Sequence, residues 1–106
     1  GQTVEAAKEY IRQHYAESDL SVEKLCAYLH LSSTYFSTLF KRETGTSFTA
    51  YVTTVRKEAA AEAIRGTEEK TYLIAQRCGY EDPNYFSYVF KRHFGVTPTK
   101  YRSEGK

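Results

Sequence analysis

Apolar side chains recur every three to four residues along most of the chain, and no strand-like alternation competes with them. That period is helical. Val4, Ala7, Ile11 and Tyr15 predict a first helix over 4–15, with Glu5, Lys8, Glu9, Arg12 and Gln13 around them. Val22, Leu25, Cys26 and Leu29 predict a second over 22–29, with Ser21 as N-cap and Glu23 in the favourable first turn. After a tight break at His30-Leu31-Ser32, a third starts at Ser32 or Ser33 and runs to about Thr44. It turns Phe36, Leu39 and Phe40 inward, and Gly45 ends it.

Ser47 then caps a long fourth helix from Phe48 to about Arg65, stopped by Gly66. Its apolar stripe is read as Val52, Val55, Ala59, Ala60, Ala63 and Ile64. Thr67 to Lys70 is a polar link, and Thr71 to Cys78 is a fifth helix with Ile74, Ala75 and Cys78 inward. Gly79 makes a turn. Asp82 as N-cap with Pro83 behind it is a strong start signal. The sixth helix runs from Pro83 to Phe94, with Phe86, Val89 and Phe90 inside and Gly95 at its end. Thr97-Pro98 opens a last short helix ending near Tyr101-Arg102, and Ser103 to Lys106 is expected to fray.

The pattern repeats. Tyr35 to Tyr51 reads YFSTLFKRETGTSFTAY and Tyr85 to Tyr101 reads YFSYVFKRHFGVTPTKY, with nine of seventeen positions identical. One small module is used twice. Each copy places two short helices around a tight turn, the signature of a helix-turn-helix. The expected fold is all-α: seven helices, with helix-turn-helix subdomains at 1–47 and 67–106 joined by a linker helix at 48–66. At about 1.5 Å per residue that linker is a rod of ~25 Å.

Composition narrows the picture. A chain of 106 residues makes one domain or two very small ones. Aromatics at 15% supply the buried area a small core needs, so the Phe and Tyr residues at helical spacing are read as core, with outward-facing Tyr88 the exception. A net charge of +2 does not by itself announce a polyanion partner; any basic surface must be concentrated on one face. Cys26 and Cys78 lie in apolar helical patterns and are read as buried thiols, which suits a reducing compartment. No apolar run approaches the ~18 residues of a membrane span, and no leader pattern is present, so a cytoplasmic location is expected. The chain opens on Gly1 rather than methionine and reads as a piece of a longer or processed protein. His14, His30 and His93 are scattered, His30 as a turn residue and His93 near a helix C-terminus. There is no HExxH, phosphate loop or GxSxG, so no enzyme activity, metal or cofactor is expected. Glu58 and Glu62 read as helix-surface charges, and Arg56 and Arg65 on the long helix pair with them or with phosphate.

The candidate chemistry lies on the outward faces of the third and sixth helices. Thr34, Ser37, Thr38 and Lys41 share one face of the third; Asn84, Ser87, Tyr88 and Lys91 share one face of the sixth. A major groove about 12 Å wide admits one α-helix, and hydroxyls and amides at this spacing can reach base edges. Lys41 and Lys91, followed by Arg42 and Arg92, stand where a cation neutralises phosphate. Two such probes on one face of DNA must enter groove turns ~34 Å apart.

Three segments carry a resemblance: LCAYLHLSSTYFSTLFKRETGTSFTAYV, VRKEAAAEAI and IAQRCGYEDPNYFSYVFKRHFGVTPTKYR. Together they resemble the DNA-binding domain of AraC/XylS-type transcription regulators over roughly four-fifths of the chain. The resemblance implies two helix-turn-helix subdomains bridged by a helix, with recognition helices in adjacent major grooves of promoter or operator DNA. It implies base reading by Thr34, Ser37, Thr38, Asn84, Ser87 and Tyr88, and phosphate contact by Lys41, Arg42, Lys91 and Arg92. Pro83 stands where family members often carry a polar reader and offers neither an N–H nor a polar side chain. The resemblance also implies an N-terminal regulatory domain outside this chain, and RNA polymerase as a partner through the parent protein. The alternative reading is a helical protein-interaction module for an acidic partner surface, which predicts little salt-dependent DNA binding. A third is an enzyme-linked module, since some alkylation-repair proteins join a similar domain to a reactive-cysteine domain; here Cys26 and Cys78 both fall on inward faces.

Overall fold

The structure, a computed structural model described over residues 1–104, consists of seven α-helices, with no strand among the described residues. They are α1 (Gln2–His14), α2 (Val22–Leu29), α3 (Ser33–Thr44), α4 (Phe48–Gly66), α5 (Thr71–Arg77), α6 (Pro83–Phe94) and α7 (Pro98–Glu104). The all-α expectation holds.

Local chemistry accounts for most boundaries. Ser21 Oγ accepts from the Lys24 N–H at 3.0 Å, Ser32 Oγ from Tyr35 N–H at 3.1 Å, and Ser47 Oγ from Ala50 N–H at 3.1 Å. In the second repeat Asp82 accepts from Asn84 N–H at 2.9 Å and Thr97 from Lys100 N–H at 3.2 Å. Each bond satisfies a donor that the first helical turn leaves without a partner. Gly45 and Gly95 end α3 and α6 at φ 84° and 85°, where a Cβ would be strained. Their N–H groups donate to the carbonyls of Lys41 and Lys91.

Several expected ends move. α1 begins at Gln2 and closes at His14, leaving Tyr15 as its C-cap. α5 closes at Arg77, with Cys78 as C-cap, and α4 includes Gly66. Ser103 and Glu104 continue α7 instead of fraying, because Arg102 anchors the helix. Arg102 Nε donates to the Ile64 carbonyl at 2.9 Å and Nη2 to the Glu69 carbonyl at 2.7 Å. The rest of the expected frayed tail lies outside the described residues.

The chain forms two compact units, Gly1–Val55 and the remainder from Arg56, and the division falls inside α4. In the first, Val4, Ala7 and Ile11 of α1 meet Leu25, Cys26, Phe36, Phe40, Phe48 and Val52. In the second, Ala60, Ala61 and Ile64 are buried, as are Ile74, Ala75, Cys78, Tyr80, Phe86 and Phe90. An Ala–Ile pair four residues apart, without measurable exposure, occurs in each: Ala7–Ile11 and Ala60–Ile64. Alanine lets a neighbouring helix approach closely, and the isoleucine fills the volume beside it. The edge-on packing of Phe40 on Tyr51 recurs as Phe90 on Tyr101, both at 5.3 Å.

The stripe expected on α4 was partly misplaced. Ala61 is buried while Val55, Ala59 and Ala63 are half-buried. A single stripe assumes one partner surface, and α4 serves a different core in each half. Tyr10 and Tyr80 are buried, whereas Tyr15, Val22, Leu29 and Val89 are only half-buried. Both cysteines are buried thiols, as expected. Burial pushes the thiols of Cys26 and Cys78 and the phenol of Tyr80 above their ordinary pKa values.

Candidate nucleic-acid interface

In the first unit, Phe36 and Phe40 anchor the inner side of α3 with no measurable exposure, and Leu39 is buried beside them. Helical geometry then leaves Thr34, Ser37, Thr38, Lys41 and Arg42 outside, and all are exposed. Ser37, Thr38, Lys41 and Arg42 line a shallow concavity.

The second unit repeats this. Phe86 and Phe90 anchor α6, and Asn84, Ser87, Tyr88, Lys91 and Arg92 are exposed. Tyr88, Lys91, Arg92 and Gly95 line the equivalent concavity. Burial matches position by position from 34–51 to 84–101, except that buried Leu39 corresponds to half-buried Val89. Each candidate group named from the sequence is thus brought together with its neighbours on its own helix.

The charges divide into two classes. Lys8 faces Glu5, Arg12 faces Glu9, Lys24 faces Glu17 and Asp19, Arg77 faces Glu69, and Lys100 faces Glu104. Lys41, Arg42, Lys91 and Arg92, like Lys57 and Lys70, have no ion pair or hydrogen bond from their side chains among the described residues. The first four occupy the last turns of α3 and α6, where the helix carboxyl end favours positive charge. The two arginines of α4 have aromatic partners. Arg56 lies 5.9 Å over the Tyr80 ring; Arg65 lies 5.7 Å over the Tyr101 ring and donates to its hydroxyl.

The assignment of tyrosine to the core needs correction. Tyr35 and Tyr85 are each 56% exposed, and Tyr28 and Tyr72 are also on the surface, while Tyr88, 59% exposed, faces outward as expected. One signal marked the first two in the sequence. They stand at identical positions of the repeat but one residue before the buried Phe36 and Phe86, off the apolar stripe.

Residues 25–104 match the family described as Helix-turn-helix domain. The chain belongs to this AraC-type helix-turn-helix family. This AraC-type domain is 46% identical over 65 residues to the HTH-type transcriptional activator RhaR of Mannheimia succiniciproducens, covering 61% of the chain and 24% of RhaR. The chain therefore spans about a quarter of the length of that curated relative. Among solved structures, the C-terminal domain of AraT, a response regulator from Geobacillus stearothermophilus, is similar at TM-score 0.94 and 40% identity. That match covers 97% of this chain and 85% of the other. The DNA-binding domain of AdpA, a global transcriptional factor solved in complex with a target DNA, is similar at TM-score 0.87 and 25% identity. It covers 94% of this chain and 89% of the AdpA chain. AraC-type DNA-binding domains of transcription regulators are not an enzyme class, and no helix of the described residues is long and apolar enough to cross a membrane.

Proposed function

We propose that this AraC-type domain binds double-stranded promoter DNA sequence-specifically, with α3 and α6 entering successive major grooves. The observation that carries this is the polar, cationic face repeated on both helices, whose lysines and arginines have no partner among the described residues. A cation already paired with a carboxylate gains little from a phosphate. An unpaired one releases a condensed counterion from DNA, and that release drives binding.

Thr34, Ser37 and Thr38 on α3, and Asn84, Ser87 and Tyr88 on α6, are the base readers. Lys41, Arg42, Lys91 and Arg92 set the register on phosphate. Residues 1–47 and 67–106 act as the two DNA-contacting subdomains, and 48–66 connects them. The AdpA domain, with the same fold and solved on target DNA, supports the partner. The RhaR relatives, transcriptional activators of which this chain spans about a quarter, support a parent regulator. Its N-terminal regulatory domain would receive the signal, and RNA polymerase would be engaged through the whole protein in the cytoplasm. The domain has no catalytic part in this scheme.

The test is selection of binding sites from random duplexes, followed by footprinting and a salt titration. The expected footprint spans two helical turns, and affinity falls with a log–log slope of about −0.9 per phosphate contacted. Protection confined to about one turn per monomer, or binding indifferent to salt, would overturn the proposal in favour of a protein-docking surface.

A further inference from the structure

The second unit carries a run of three tyrosine rings. Tyr80, buried, lies 5.3 Å from Phe86, with the Arg56 guanidinium over its face. Tyr85 lies 6.4 Å from Tyr80, and Tyr88 lies 6.5 Å from Tyr85. These separations fall in the range of attractive ring pairs. The run thus leads from a fixed, buried ring to an exposed one on the outward face of α6. In the first unit Leu31 follows His30 where Tyr80 follows Gly79, and Thr38 stands in the place of Tyr88. The run therefore belongs to α6 alone.

Most groups on the outward face of α6 are hydrogen-bonding or cationic. Tyr88, braced by Tyr85, adds a broad apolar surface. The apolar group on a base edge in the major groove is the thymine C5 methyl. A tyrosine ring has only two side-chain torsions to immobilise, so it makes such a contact at small entropic cost. We infer that Tyr88 reads thymine methyl groups in the half-site of α6, and that Tyr85, lying between Tyr80 and Tyr88 with its ring tilted to both, is the positioning residue that aims it. This rests on the DNA-binding role proposed above and goes further, because it names the base. Asn84, one turn earlier, adds an amide suited to adenine N6 and N7. The half-site of α6 is then rich in A·T pairs.

The experiment replaces each thymine of a selected duplex in turn by deoxyuridine, which removes only the methyl. The intact domain is expected to bind about four-fold more weakly at one or two of these positions, the effect of one buried methyl group. Tyr88→Ala abolishes the difference. Tyr88→Phe retains it, because the ring and not the hydroxyl makes the contact. Tyr85→Ala reduces the thymine-over-uracil ratio and Tyr85→Phe restores it, with helical content unchanged by circular dichroism. Equal, salt-dependent affinity for thymine and uracil duplexes overturns the thymine assignment and leaves DNA binding standing. Loss of the thymine-over-uracil difference in Tyr88→Phe assigns the contact to the hydroxyl and likewise overturns it. Failure of the intact domain to bind any duplex removes both proposals.

Discussion

His30 and Gly79 turn the chain through the same left-handed region at the corresponding point of the two helix-turn-helix units, at φ 60° and φ 95°. The left-handed region costs a residue with a Cβ about 1–2 kcal/mol. Glycine avoids that cost but loses roughly 0.5–1 kcal/mol more chain entropy on folding. His30→Gly is therefore expected to stabilise the first unit by about 0.5–1 kcal/mol. Gly79→Ala should destabilise the second by about 1 kcal/mol. Urea unfolding of both variants checks the pair, and a lower midpoint for His30→Gly would show that the histidine supports its turn.

Arg102 closes the second unit through charged hydrogen bonds to the carbonyls of Ile64 and Glu69. Bonds from a charged donor contribute roughly 1.5–3 kcal/mol each. Arg102 is half-buried, so solvent weakens both bonds and Arg102→Ala should cost about 2–3 kcal/mol in stability rather than their full sum. Arg102→Lys recovers only part of it, because an ammonium lacks the planar fork that reaches both carbonyls. Thermal unfolding of the three proteins distinguishes this from a peripheral role, for which all three would melt together.

Phosphate contacts and base contacts separate on different axes. Lys41→Ala and Lys91→Ala should each weaken binding on every duplex and flatten the salt slope by about 0.9. Asn84→Ala should leave the slope unchanged and relax preference at one base pair by about 1–3 kcal/mol. Identical behaviour of the lysine and asparagine variants would show that the residues are sorted wrongly.

The domain should lose stability in alkali. Burial raises the pKa of Cys26, Cys78 and Tyr80 in the folded chain above their ordinary values. The unfolded chain therefore releases these protons first. Stability is full below the unfolded thiol value and falls as pH rises through the folded ones. Urea midpoints measured from about pH 8 to about pH 10 should decline, and Cys78→Ala should shallow the decline. A flat profile would mean that these groups are hydrated in the native state.

The sequence by itself determined what depends on neighbours along the chain. Caps at Ser21, Ser47, Asp82 and Thr97 and glycines at 45 and 95 act within a turn of where they stand, so helix order was legible. The periodicity of Phe36, Leu39 and Phe40, echoed by Phe86, Val89 and Phe90, made the outward faces of α3 and α6 legible too. Tertiary structure alone decided which partner each face met. Ala61 is buried, and the core changes at Val55–Arg56, because α4 meets one set of helices before that point and another after it. Arg56 and Arg65 turned to tyrosine rings 24 and 36 residues away. No local period encodes such contacts, since they exist only after distant segments have packed.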